Sequence, residues 1–140
     1  MNGSFPHTSV GRLVLTPHPP KVHVEVDPQI VDFARALVPK SVTLNRTRFA
    51  PHITTVREEV VDPILWHASV VELQGREIPF SYDSSVVAGN LYWWLRVWSD
   101  DLIWVRRRLA LTDLSWGCRP PDNEDCFHIT IGNLKGLVTS

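Results

Sequence analysis

Two short strings carry the chemistry of this chain: Pro51-His52-Ile53-Thr54 and Phe127-His128-Ile129-Thr130, with their histidines 76 positions apart. Each reads histidine, one apolar residue, threonine. Successive side chains of a β-strand alternate between faces, so His and Thr two apart share one side, while Ile53 and Ile129 point the other way, into a core. Histidine, with an unperturbed pKa near about 6.5, can be neutral in one copy and charged in the other near neutral pH. One imidazole would then take a proton from an attacking hydroxyl while the second gives one to a leaving oxygen. Threonine hydroxyls can donate hydrogen bonds to the non-bridging oxygens and stabilise the charge that develops there. Converging on one phosphorus, the four side chains would cleave a phosphodiester without a metal. A single string of this kind is a common accident; the pair, each on a plausible strand, is the signal.

The elements that must position them can be read along the chain. Residues Lys21 to Val26 alternate, with Val22, Val24 and Val26 on one face and Lys21, His23 and Glu25 on the other, which is a half-buried strand. Asp27-Pro28 reads as a helix start, followed by Ile30, Phe33, Ala34 and Leu37 at helical spacing and Pro39 as a stop. Phe49 to Val56 is the first motif strand, entered extended because Pro51 disfavours a helical Ala50. Pro63 to Glu72 fits a short helix or a strand. Ile78–Val87 and Leu91–Trp98 form a hairpin through Ala88-Gly89-Asn90. Ser99-Asp100-Asp101 caps a helix to about Leu111, with Leu102, Val105 and Leu109 inward and Arg106, Arg107 and Arg108 on a solvated side. Trp116 to Cys126 is a loop, and Phe127 to Ile131 the second motif strand. The first twenty residues, with four prolines, read as irregular apart from a short strand at Gly11 to Thr16. Each motif thus follows a strand-then-helix unit. The expected fold is α+β: one domain over 1–140, two lobes of antiparallel sheet related by a pseudo-two-fold axis, and a cleft between the His52 and His128 strands.

Composition narrows the class. The chain is 44% hydrophobic and 21% charged, ordinary for a soluble globular domain. A net charge of −1 gives no pull toward duplex nucleic acid. Eleven of the fourteen cations are arginine, whose planar fork suits phosphate. No apolar run is long enough to span a membrane. Two cysteines, Cys118 and Cys126, make no disulfide framework, and residues 1–6 lack the features of a signal peptide, so a cytoplasmic location is expected. His7, His18 and His23 lack the histidine-plus-carboxylate spacing of a ligand set, so neither metal nor cofactor is expected.

The paired His-x-Thr strings resemble the two signatures of the 2H phosphoesterase superfamily. That resemblance implies a two-lobed α+β fold with the motifs facing across a cleft, and catalytic roles for His52, Thr54, His128 and Thr130. Ser115-Trp116-Gly117-Cys118-Arg119-Pro120-Pro121-Asp122, followed by Phe127-His128-Ile129-Thr130-Ile131-Gly132-Asn133, is similar to the phage branch that hydrolyses cyclic oligonucleotide signals, the anti-CBASS nucleases. The resemblance implies a metal-independent phosphodiesterase acting on a cyclic di- or trinucleotide messenger in counter-defence, in the host cytoplasm if phage-encoded. Two alternatives remain open: a 2′,3′-cyclic phosphodiesterase acting on RNA ends, and a non-catalytic sponge that binds a cyclic nucleotide.

Ligand-binding candidates follow from alternation. On Tyr92 to Trp98 one face carries Tyr92, Trp94, Arg96 and Trp98, and the other carries Trp93, Leu95 and Val97, which reads as core. Trp94 is the expected base-stacking ring, with Tyr92 beside it and Trp66 or Trp116 next in line. Arg48, with Arg46, precedes the first motif strand and is placed to meet ligand phosphates. His23 fits a structural or a site role equally.

Overall fold

The computed structural model describes residues 5–113 and 127–135. Six strands and three helices are found among them: β1 (His7–Thr16), β2 (Lys21–Glu25), α1 (Pro28–Ala36), β3 (His52–Val56), α2 (Pro63–Leu73), β4 (Glu77–Ala88), β5 (Tyr92–Trp98), α3 (Asp100–Arg108) and β6 (Phe127–Asn133). The fold is α+β with antiparallel pairing throughout. The sheet closes on itself in the order β1-β2-β3-β6-β5-β4. The two motif strands, expected in separate lobes, are therefore direct neighbours in one six-stranded barrel.

Closure depends on β1, which the sequence reading had as a short strand with irregular flanks. It runs ten residues because its two halves serve different partners: His7 to Arg12 pair with β4 and Arg12 to Thr16 with β2. Gly11 permits the crossing, since a Cβ there would lie 2.3 Å from Val24 Cγ1 and 2.6 Å from the Glu25 carbonyl oxygen.

The helices begin where side chains cap them. Asp27 accepts from the Gln29 N–H at 2.9 Å, with Pro28 at the first helical position. The same Asp-Pro signature recurs at Asp62-Pro63, where Asp62 accepts from the Ile64 and Leu65 amides, so the segment that fitted helix or strand is a helix. Ser99 Oγ accepts from the Leu102 N–H and donates to the Pro79 carbonyl, tying α3 to β4. The α3 helix stops at Arg108, short of Leu111, because Ala110 takes a positive φ of 58°.

One apolar core joins strands and helices. Leu13, Val24, Ile53, Ile78, Leu95, Val97, Phe127 and Ile129, each at most 1% exposed, pack with Leu73, Leu102 and Val105. On α1 the buried stripe is Ile30, Val31 and Ala34; Phe33 and Leu37, which share the helical spacing of Ile30 and Ala34, are 66% and 60% exposed. Arg106, expected on a solvated side, is fully buried. Its Nη1 donates to the Thr55 carbonyl at 2.8 Å and both Nη atoms pair with the Glu59 carboxylate at 2.7 and 2.8 Å, which satisfies the charge inside the core. No helix among the described residues is long and apolar enough to cross a membrane.

Candidate active site

The site starts from one pairing. Ile53 on β3 lies opposite Ile129 on β6, both 0% exposed on the core face. Continuing that antiparallel register one residue either way sets His52 opposite Thr130 and Thr54 opposite His128, all four half-buried on the other face. Directly opposed residues have Cβ atoms about 4.5–5.5 Å apart, and diagonal neighbours lie about 7–8 Å apart, so His52 and His128 sit diagonally across the quartet. The structure thus brings together the four residues that the sequence singled out.

The register extends outward in two rows. His23 on β2 pairs with Thr54, and Arg96 on β5 pairs with His128. Glu25 on β2 pairs with His52, and Trp94 on β5 pairs with Thr130. A local two-fold relation through the Ile53–Ile129 pair therefore exchanges His23 with Trp94, and Glu25 with Arg96. The two rings make equivalent contacts. His23 meets His52 edge-on with centroids 5.6 Å apart, and Trp94 meets His128 at 6.0 Å. Gly89 clears space for the indole, since a Cβ there would lie 2.7 Å from Trp94 Cζ3.

The relation continues behind the sheet. Arg106, in the last turn of α3, donates to the carbonyl of Thr55, three residues after His52. Arg35, in the last turn of α1, donates at 2.9 Å to the carbonyl of Ile131, three residues after His128, and also to Leu44 and Asn45 carbonyls. Gly132 leaves room for that guanidinium: a Cβ would lie 2.8 Å from Arg35 Nη1. Each helix follows one half of the sheet and holds the motif strand of the other.

Electrostatics differ between the halves. His52 Nδ1 lies 2.9 Å from the Ala50 carbonyl. A carbonyl only accepts, so Nδ1 carries the proton in that bond and Nε2 is the unprotonated nitrogen when the ring is neutral. Burial, followed by the neighbouring His52, pushes the His23 pKa below the ordinary imidazole value, and Glu25 opposes this only in part. Glu25 is itself held below the usual carboxylate range by its hydrogen bond from Arg12. Across the site Arg96 approaches Asp83 at 3.7 Å. Among the described residues no group of three or more His, Cys, Asp or Glu is arranged to hold a metal ion.

The outlying candidates fare differently. Trp94 shares the face of His128 and Thr130, as alternation predicts, although the β5–β6 register shifts between Trp93 and Trp94. That shift is a bulge on β6, where Ile131 and Gly132 are both buried in succession. Trp93 packs against the core beside Leu95 and Val97. The Tyr92 ring, 41% exposed, lies under the Lys135 ammonium at 5.0 Å and pairs with Asn133 at the strand end, beyond the ring contact that joins Trp94 to His128. Arg48 is exposed over Phe49 at 5.8 Å, and Arg46 pairs with Asp32 of α1 at 3.3 Å. A groove lined by Asp32, Arg46, Phe49 and Pro51 lies against α1 and contains neither histidine of the motifs. His23 is the site residue that sequence reasoning left undecided; its place on the polar side of an alternating strand was the signal. Ser115 to Asp122, with Trp116 and Cys118, and Cys126 lie outside the described residues.

Comparison of the chain with protein-family models, with curated proteins and with solved structures gives no match.

Proposed function

We propose that this protein is a metal-independent phosphodiesterase of the 2H type, acting on a cyclic di- or trinucleotide. The carrying observation is the quartet of His52, Thr54, His128 and Thr130 on one face of adjacent antiparallel strands. The halves β1–β2–α1–β3 and β4–β5–α3–β6 would be its two lobes, a reading supported by the crossed arginine contacts to Thr55 and Ile131.

In the proposed reaction a ribose 2′-hydroxyl attacks the adjacent phosphorus. The P–O2′ bond forms as the P–O5′ bond breaks. One histidine takes the 2′-hydroxyl proton, and the other delivers a proton to the departing 5′-oxygen. Thr54 and Thr130 donate to the non-bridging oxygens, where charge builds up in the transition state. Trp94, in contact with His128, would stack a nucleobase beside the scissile link. The resemblance of the second motif region to phage anti-CBASS nucleases makes counter-defence the proposed biological role.

Incubation with cyclic dinucleotides in EDTA, followed by chromatography, tests the reading. Linear products are expected. Intact ligand released on heating would instead identify a sponge, and cleavage restricted to a 2′,3′-cyclic mononucleotide would identify an RNA-end enzyme.

A further inference from the structure

The His52 ring needs a fixed orientation to do acid–base work, and one hydrogen bond leaves it a hinge. The Nδ1 contact to Ala50 defines one edge. The plane of the ring is defined only if something packs against it. Of the side chains on the same face, Glu25 is exposed and turned to Arg12 at 2.7 Å, Thr54 lies two residues along the same strand, and Thr130, opposite on β6, offers a short hydroxyl side chain rather than a ring. His23 does touch the ring, meeting it at an interplanar angle of 72°.

We propose, building on the phosphodiesterase reading, that His23 is a positioning residue: its ring packs edge-on against His52 and keeps Nε2 directed at the reacting phosphate. Three observations support this. The β2–β3 register places His23 beside Thr54, which brings its ring diagonally onto His52. Its half-burial and the neighbouring imidazole favour the neutral form, so the contact is one of ring packing rather than charge. The equivalent position in the other half is occupied by Trp94, a ring in the same relation to His128. The groups facing His23 are Val14 and the Arg12–Glu25 pair towards β1, Lys21 along its own strand, and His52 and Thr54 on β3. Among the described residues, His23 is the ring in contact with His52.

The test compares His23→Ala with His23→Phe in the full chain, read two ways. Nitrogen-15 NMR of the imidazoles reports the His52 tautomer without any turnover. Wild type should show Nδ1 protonated and Nε2 bare in the neutral form; His23→Ala should mix the two tautomers, and His23→Phe should restore the wild-type pattern. In cleavage assays His23→Ala should lower kcat about 10-fold with KM little changed, as expected for a misaligned proton-transfer group, and His23→Phe should recover most of it. An unchanged His52 tautomer in His23→Ala overturns the proposal. So does a Phe variant as impaired as Ala, which would mean that a ring nitrogen of His23 itself meets the ligand. Should wild type leave cyclic dinucleotides intact, the phosphodiesterase reading fails, and the tautomer comparison still decides the role of His23.

Discussion

The β2–β3 half of the site and the β5–β6 half carry the same His-x-Thr string, and each string is held from behind by an arginine of the helix that follows the other half's outer strand. They differ in what surrounds the string. Beside Thr54 stands His23, and beside Thr130 stands Trp94. Beside His52 stands an anion, Glu25, and beside His128 a cation, Arg96. Behind β3, Arg106 is fully buried with a carboxylate partner; behind β6, Arg35 is half-buried and, among the described residues, donates to three backbone carbonyls. On the proposed phosphodiesterase reading, the repeated parts are those the reaction would need twice, a proton carrier and a hydroxyl donor. On that reading, the parts that diverge would face the two unlike sides of the scissile bond.

The largest effects should be symmetric. His52→Ala and His128→Ala should each reduce turnover by about 10²–10⁴-fold, the usual contribution of a proton-transfer group, with thermal melts close to wild type because neither side chain belongs to the core. Near wild-type turnover in either variant would break the equivalence of the halves. The arginines should instead separate them. Arg106→Ala leaves Glu59 without its buried partner and should cost about 3–5 kcal/mol in denaturant unfolding. Arg35→Ala forfeits charged hydrogen bonds to carbonyls and should cost about 1.5–3 kcal/mol. Equal losses would show that the carboxylate behind β3 adds nothing.

Smaller effects sharpen the comparison. Thr54→Ala and Thr130→Ala should each slow turnover by up to about 10²-fold, the loss of one donor to a developing charge. Trp94→Ala should weaken ligand binding by about 1–3 kcal/mol in calorimetry, whereas the symmetry-related His23→Ala should leave affinity nearly unchanged. The pH dependence of stability belongs to the β2–β3 half. With its pKa lowered on folding, His23 binds fewer protons in the native than in the unfolded state. Its contribution is therefore complete above the unfolded value near about 6.5 and is lost as pH falls through that value toward the lowered native one. His23→Phe should flatten this acid-side slope in unfolding titrations; an identical slope would place the linkage elsewhere.

Much of this site was legible from alternation alone. Strands β3, β5 and β6 show a two-residue period around their motif residues, and that period put His52, Thr54, His128, Thr130 and Trp94 on the correct faces. The Ser99 and Asp27 caps were equally plain, and the same rule applied at Asp62-Pro63 would have settled α2. Arg106 was misread although the pattern was present: Leu102, Val105, Arg106 and Leu109 form one i, i+3, i+4, i+7 stripe, and only the run of three arginines hid it. Its burial further depends on Glu59 and the Thr55 carbonyl, partners that no local pattern reveals. Barrel closure was illegible for a similar reason. It rests on β1 pairing with β4, some 65–75 residues away (His7 with Tyr82, Arg12 with Glu77), and local periodicity carries no information about partners at that distance. The β6 bulge was foreshadowed only by Gly132, whose need becomes clear once Arg35 is seen against it.

The central claim is that His52 and His128 act together on one phosphorus. Its most direct test is product analysis of cyclic dinucleotide incubated in EDTA with wild type, His52→Ala, His128→Ala and the double variant across pH 5 to 9. The account predicts a linear product from wild type, a bell-shaped pH–rate profile near neutrality, and a double variant scarcely slower than either single one, because each loss disables the same step. Multiplying losses, or a single variant that keeps turnover near wild type, would contradict it.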